Sequence, residues 1–170
     1  MPPINNAYTL LCDIGIVKEG NVNGFDPESL KGVAAACPGY QARATARALT
    51  RYYNACFKPL GLTAEQFSLL VGIGAAEGAT VVELAEEAGV DPTTLSRNVR
   101  NLESRSLVRA EGGRGRAGKR LALTASGRRL VVEAFPVWDW AKAELARRMG
   151  DEKLGSARQA MAELATAAGP

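Results

Sequence analysis

The stretch DPTTLSRNVRNLE, Asp91 to Glu103, decides the fold. An aspartate accepts hydrogen bonds from the free N–H groups at a helix start, and a proline at the first helical position gives up no bond there, so Asp91-Pro92 marks a helix N-terminus. Leu95, Val99 and Leu102 follow at i, i+4 and i+7 and make one buried stripe. At about 100° per residue, the opposite side carries Thr93, Arg97, Arg100 and Asn101, with Thr94 and Ser96 on its flanks. The exposed face is polar, small at its N-terminal end and basic. For Thr93, Thr94 and Ser96 the plainer alternative is that their hydroxyls only cap backbone donors.

Working upstream, Thr80 with Glu83 is a capping box that opens a short helix, Val81 to Ala88, closed at Gly89 and turning Leu84, Ala85 and Ala88 inward. Thr63 with Gln66 repeats the box and opens another helix, whose inner stripe is Phe67, Leu70 and Val71 and which ends before Gly78. Before Pro59-Leu60-Gly61 a longer helix runs from about Gly39 to Phe57, with Ala42, Ala46, Leu49, Tyr53 and Phe57 at helical spacing. From Met1 to about Ala34 the pattern is irregular, broken by Pro2-Pro3, Asn5-Asn6, Asn23-Gly24 and Asp26-Pro27, and reads as an arm.

Downstream the period changes. Leu107 to Glu111 and Lys119 to Leu123 read as short strands joined by the basic, glycine-rich loop GGRGRAGKR, Gly112 to Arg120, which makes a β-hairpin. From Gly112 through Val132 the cations are Arg114, Arg116, Lys119, Arg120, Arg128 and Arg129, with no acid among them. Such a block is an electrostatic footprint for a polyanion, although a charge run is more often a solvated face. Thr124 restarts the helical pattern. One helix covers Ala125 to about Met149, with Val131, Phe135, Trp138, Leu145 and Met149 on a stripe interrupted by Lys142 and with Pro136 expected to kink it; another covers Asp151 to about Ala168.

Composition narrows the function classes. The chain has 170 residues, 46% hydrophobic and 23% charged, enough for a core in one domain, and its net charge is only +3, so the placement of charge matters more than its sum. No apolar run approaches the roughly 18 residues of a spanning helix, and Lys18 is the first cation, so a membrane is not expected and the cytoplasm is. With no histidine the usual general base, nucleophile activator and metal ligand are missing. An enzyme, a metal site and a cofactor are therefore not expected. Cys12, Cys37 and Cys56 are too few and too widely spaced for a disulfide scaffold or a zinc site.

Two short capped helices, the second with a polar basic outer face, followed at once by a basic hairpin, form the layout of a winged helix-turn-helix. The expected class is mainly α (α+β), with the recognition helix, Asp91 to Arg105, in the major groove. The two-stranded wing, with its loop Gly112 to Gly118, would lie on the adjacent backbone or minor groove. Thr93, Thr94, Ser96, Arg97, Arg100, Asn101, Arg114 and Arg116 are the candidate contacts to double-stranded DNA.

GLTAEQFSLL (Gly61 to Leu70), LAEEAGVDPTTLSRNVRNLESRSLVRAEG (Leu84 to Gly112) and LALTASG (Leu121 to Gly127) together resemble the MarR family of transcriptional regulators, over about Tyr40 to Met149. The resemblance implies an obligate homodimer in which the first and the last two helices interlock and paired recognition helices read a pseudo-palindromic operator. It divides the chain into an arm (1–36), a dimerisation helix (37–60), the reading head (61–124) and C-terminal dimerisation helices (125–170). It also implies release by a small phenolic or other aromatic effector, in a cleft for which Tyr40, Arg43, Arg47, Phe67 and Trp138 are candidates. Two positions depart from the pattern. Where the family's wing carries Asp-Lys/Arg-Arg, this chain has Gly115, Arg116 and Ala117, which leaves Arg114 or Arg116 as substitutes; and where the peroxide-sensing branch places its cysteine, this chain has Gly39, with Cys37 two residues earlier. Two rival readings follow: a redox sensor switched by Cys37, and a winged-helix protein-interaction module that binds no DNA.

Overall fold

The computed structural model describes residues 27–112 and 118–169. Most of the arm, and Arg114 and Arg116 of the wing, lie outside the described residues. Two compact units divide at Thr45/Ala46, within the second helix.

In the first unit, α1 (Pro27–Ala36) corrects the expectation of an irregular arm up to about Ala34. Proline at the first position and alanines at the end favour a helix, and these outweigh the single interior Gly32. Cys37 separates α1 from α2 (Pro38–Phe57). Its N–H donates to the Val33 carbonyl at 2.9 Å and its own carbonyl accepts from Tyr40 and Gln41 at 3.1 Å each.

The second unit opens with the rest of α2 and a 3₁₀ turn (Lys58–Leu60) that Gly61 ends at φ +62°, a left-handed conformation that favours glycine. Then follow α3 (Ala64–Ala75), α4 (Val81–Ala88), α5 (Pro92–Ser104), the antiparallel hairpin of β1 (Val108–Glu111) and β2 (Arg120–Leu123), α6 (Ala125–Met149) and α7 (Asp151–Ala168). Both capping boxes close in both directions: Thr63 with Gln66, and Thr80 with Glu83. The Thr80 N–H bonded to Glu83 holds that carboxyl below its ordinary range, with the charge of Arg120 adding to the effect.

The core is built from the local stripes. Phe67 and Leu70 of α3, Leu84 and Ala85 of α4, Leu95, Val99 and Leu102 of α5, and Leu121 and Leu123 of β2 are all buried. Each large apolar side chain withdrawn from water in this way contributes about 1.5–3 kcal/mol. Phe57 connects α2 to this core, its ring centroid 4.5 Å from that of Phe67 and the two rings tilted by 31°. Three expected stripes need correction. Ala42 and Ala46 of α2 are exposed, so that stripe is buried only toward Phe57, and Ala88 of α4 is exposed as well. On α6 the fully buried side chains are Ala134 and Ala141, whereas Phe135 and Met149 stay exposed. Small residues let a neighbouring helix come close: the Tyr52 hydroxyl donates to the Ala141 carbonyl at 2.9 Å. The helix is continuous through Pro136.

The hairpin pairs Val108 with Leu123 and Glu111 with Arg120. The other edge of β2 is used too: Thr80 bridges to Arg120, Leu121 N–H donates to the Ala79 carbonyl at 2.9 Å, and Gly78 N–H donates to that of Leu121 at 3.2 Å. At the far end of β2, Thr124 caps α6 and donates to the Ser106 carbonyl at 2.7 Å. Gly127, one turn on, is buried, and a Cβ there would collide with the Leu107 carbonyl oxygen. Backbone on backbone cannot yield as a side-chain tip does. Gly127→Ala should therefore lower stability by at least about 2 kcal/mol, whereas Gly155→Ala, in open space on α7, should raise it by roughly 0.5–1 kcal/mol. Thermal unfolding of both variants checks this, and an unchanged midpoint for Gly127→Ala would refute the packing argument.

Candidate nucleic-acid interface

Asp91 sets where the recognition helix begins. Its Oδ1 accepts from the N–H groups of Thr93 at 2.9 Å and Thr94 at 3.1 Å, and Pro92 takes the first helical position. Because Asp91 has capped those donors, the hydroxyls of Thr93 and Thr94 are not needed as caps. Thr93, Thr94, Arg97, Arg100 and Asn101 are exposed, and Ser96 is half-buried on the flank. Leu95, Val99 and Leu102, on the other side, hold the helix to the core. The structure thus brings the expected contacts of this helix onto one face.

That face is also tied to α3. The Gln66 carboxamide, already the acceptor for Thr63 N–H at 3.0 Å, accepts from the Arg105 guanidinium at 3.3 Å and donates through Nε2 to Asn101 Oδ1 at 2.8 Å. Asn54 of α2 accepts from Ala64 N–H at 2.7 Å and so ties α2 to the first residue of α3. In the sequence Gln66 reads as half of a capping box; its second role joins residues 35 positions apart, which local spacing does not reveal.

The basic block divides into separate jobs. Arg120 donates to the Gly78 carbonyl at 2.8 Å and Arg128 to the Leu123 carbonyl at 2.9 Å, so both guanidinium groups brace the hairpin while their charge remains at the surface. Arg109 and Glu111 pair at 2.9 Å on the outer side of β1. Lys119 is exposed.

The residues put forward for an effector divide between the two units. Tyr40 and Arg43 belong to the first unit and are exposed. In the second unit Arg47 is exposed and Phe67 is buried in the core. Trp138 lies edge-on to Phe135 at 6.2 Å with the Lys142 ammonium 4.3 Å above its ring, and Phe135 is in turn edge-on to Phe67. A cavity of about 890 Å³ opens instead between α3, the hairpin and α6, with Leu70, Gly74, Leu121, Val131 and Phe135 among its walls and Arg128 at its rim. None of the five candidates lines it. Cys37 is half-buried at the N-terminus of α2, and no cluster of potential metal ligands occurs among the described residues. No helix among them is long and apolar enough to cross a membrane.

Comparison with known proteins agrees with this geometry. The model of the MarR family matches residues 60–117. The Mycobacterium tuberculosis transcriptional regulator MosR is 37% identical, with a TM-score of 0.70 over 79% of this chain and 97% of that one. MosR in complex with DNA is 37% identical, with a TM-score of 0.69 over 78% and 96%. A MarR-family protein of the same organism, in complex with salicylic acid, is 28% identical, with a TM-score of 0.59 over 76% and 96%. A search of the curated proteins finds no match.

The cap yields a prediction of its own. Asp91→Ala frees two backbone donors at the start of the recognition helix and should cost about 1 kcal/mol of stability, while Asp91→Asn, which still accepts, should cost much less. Urea unfolding of the two variants measures the difference; equal losses would mean that the cap is not what stabilises this end.

Proposed function

The chain belongs to the MarR family of transcriptional regulators, and from that premise we propose that it binds a pseudo-palindromic operator as a homodimer and is released by a small aromatic effector. The recognition helix enters the major groove, and the wing loop follows the adjacent backbone or minor groove. The observation that carries this reading is the exposed face of α5, where Thr93, Thr94, Arg97 and Arg100 stand clear of a helix capped by a neighbouring aspartate. Its small N-terminal end suits close approach to base edges, and its arginines suit guanine edges or phosphates. The DNA complex of MosR, at 37% identity, supports the partner.

The dimer reading rests on uncovered apolar surface. On α6 and α7, Val132, Trp140, Met149, Met161 and Leu164 are exposed by 69%, 59%, 44%, 46% and 49%. Exposed apolar side chains spread along two helices mark a surface that a partner covers, and in a second copy a twofold axis lets one patch cover its own image. Sedimentation at micromolar concentration should give twice the chain mass of 17.9 kDa. A species of single-chain mass would refute the dimer.

The effector reading draws on the salicylic acid complex of the 28% identical relative. An aromatic carboxylate suits a pocket that offers apolar walls and a cation, and the cavity lined by Val131, Phe135 and Arg128 is a place where an apolar ring and an acid could be met.

The helix and the wing should fail differently. Arg97→Ala should cost about 1–3 kcal/mol of binding and relax discrimination at one position of each half-site. Arg114→Ala or Arg116→Ala, in a loop without the family's Asp, should weaken all duplexes alike and lower the salt slope by about one unit for each phosphate no longer neutralised. Binding isotherms on operator and scrambled duplexes over a salt series test this. If the wing variants lose selectivity while Arg97→Ala weakens both duplexes equally, the roles are reversed, and if none of the three matters, the DNA-binding reading fails.

A further inference from the structure

We infer that Gln66 is a positioning residue for DNA recognition: it turns the Asn101 carboxamide so that the recognition helix offers the Nδ2 donor, and not the Oδ1 acceptor, to the duplex. The inference rests on the DNA-binding reading above and assigns Asn101 its polarity within it.

The two ends of a carboxamide are told apart by their partners. The Thr63 main-chain N–H can only donate, and it lies 3.0 Å from Gln66 Oε1. The Arg105 guanidinium can only donate as well, and it reaches the same oxygen at 3.3 Å. Two obligate donors therefore fix which end of Gln66 is oxygen. The opposite end is the NH₂ group, which can only donate, so the atom of Asn101 that meets it at 2.8 Å must be the oxygen. Asn101 Oδ1 is thereby turned toward Gln66, with one of its lone pairs engaged, and its Nδ2 is left for an outside partner. Asn101 lies one turn beyond Arg97 on the same exposed face. A donor there matches the hydrogen-bond acceptors of a duplex, either phosphate oxygens or the acceptor atoms of the major-groove edge. An outward Oδ1 would face those acceptors with like polarity.

The test is Gln66→Glu. A carboxylate at this position still accepts from Thr63 N–H and still pairs with Arg105, so the capping box survives. It cannot donate, so Asn101 must turn its NH₂ inward and present its oxygen to the DNA. Because the variant also adds a negative charge, it is compared in two backgrounds, the parent and Asn101→Ala. The probe is a randomised duplex pool, from which the parent selects its preferred sequence, followed by titration on the selected and on scrambled duplexes. The thermal midpoint of Gln66→Glu should stay within about 3 °C of the parent's. Its affinity for the selected duplex should fall about tenfold further in the parent background than in Asn101→Ala. A loss confined to the selected duplex assigns the Nδ2 partner to a base edge, and one shared with the scrambled duplex assigns it to phosphate. Equal losses in the two backgrounds, or none in the parent, would overturn the inference while leaving DNA binding intact. Failure of the parent to enrich any duplex would overturn the DNA-binding reading, and this inference with it.

Discussion

The close approach of α6 to the main chain at Leu107 governs how the reading head is assembled. Gly127 lets the first turn of α6 rest against the Leu107 carbonyl, and Thr124 binds the preceding carbonyl while capping that same turn. Leu107 N–H in turn donates to the Leu102 carbonyl at 3.0 Å, in the last turn of α5. Recognition helix, first strand and long C-terminal helix thus converge on a few backbone atoms. Since that approach is backbone on backbone, the seat of α6 against Leu107 has less room to adjust than a contact between side-chain tips.

What the sequence made legible was local. Thr63 with Gln66, Thr80 with Glu83, Asp91 with Pro92, and Thr124 each declare a helix start within a few residues, and Leu95, Val99 and Leu102 declare the buried side of α5. The hairpin was legible from the change of period after Leu107. What escaped depended on distant partners. The inner side of α6 falls on Ala134 and Ala141 because helices approach closely there, and alanine is a weak signal in any pattern. α1 was hidden by the turn-forming residues before it, and the second role of Gln66 by the length of chain between α3 and α5.

Charge in this protein is organised by what each cation has already been given to do. Arg120 and Arg128 are held by main-chain carbonyls, Arg105 by Gln66 and Arg109 by Glu111. Arg97 and Arg100 stand exposed on the polar face of α5. A net charge of +3 therefore understates the local field, because much of the compensating acid is placed elsewhere. Glu144, for instance, is held by the hydrogen bonds and charges of Arg147 and Arg148, which lower its carboxyl pKa to about 2.

The pairing of β2 on both sides has a consequence for how the protein behaves in a crowded solution. A strand edge with unpaired N–H and C=O groups is a template for another chain, and short, charged edges resist that use. Here β2 is enclosed between β1 and the segment around Ala79, which leaves β1 as the outer edge among the described residues. That edge spans only Val108–Glu111 and carries the Arg109–Glu111 pair on its exposed side. The open edge of the wing is thus four residues long and flanked by charge, which guards the protein against joining strand to strand with its own kind.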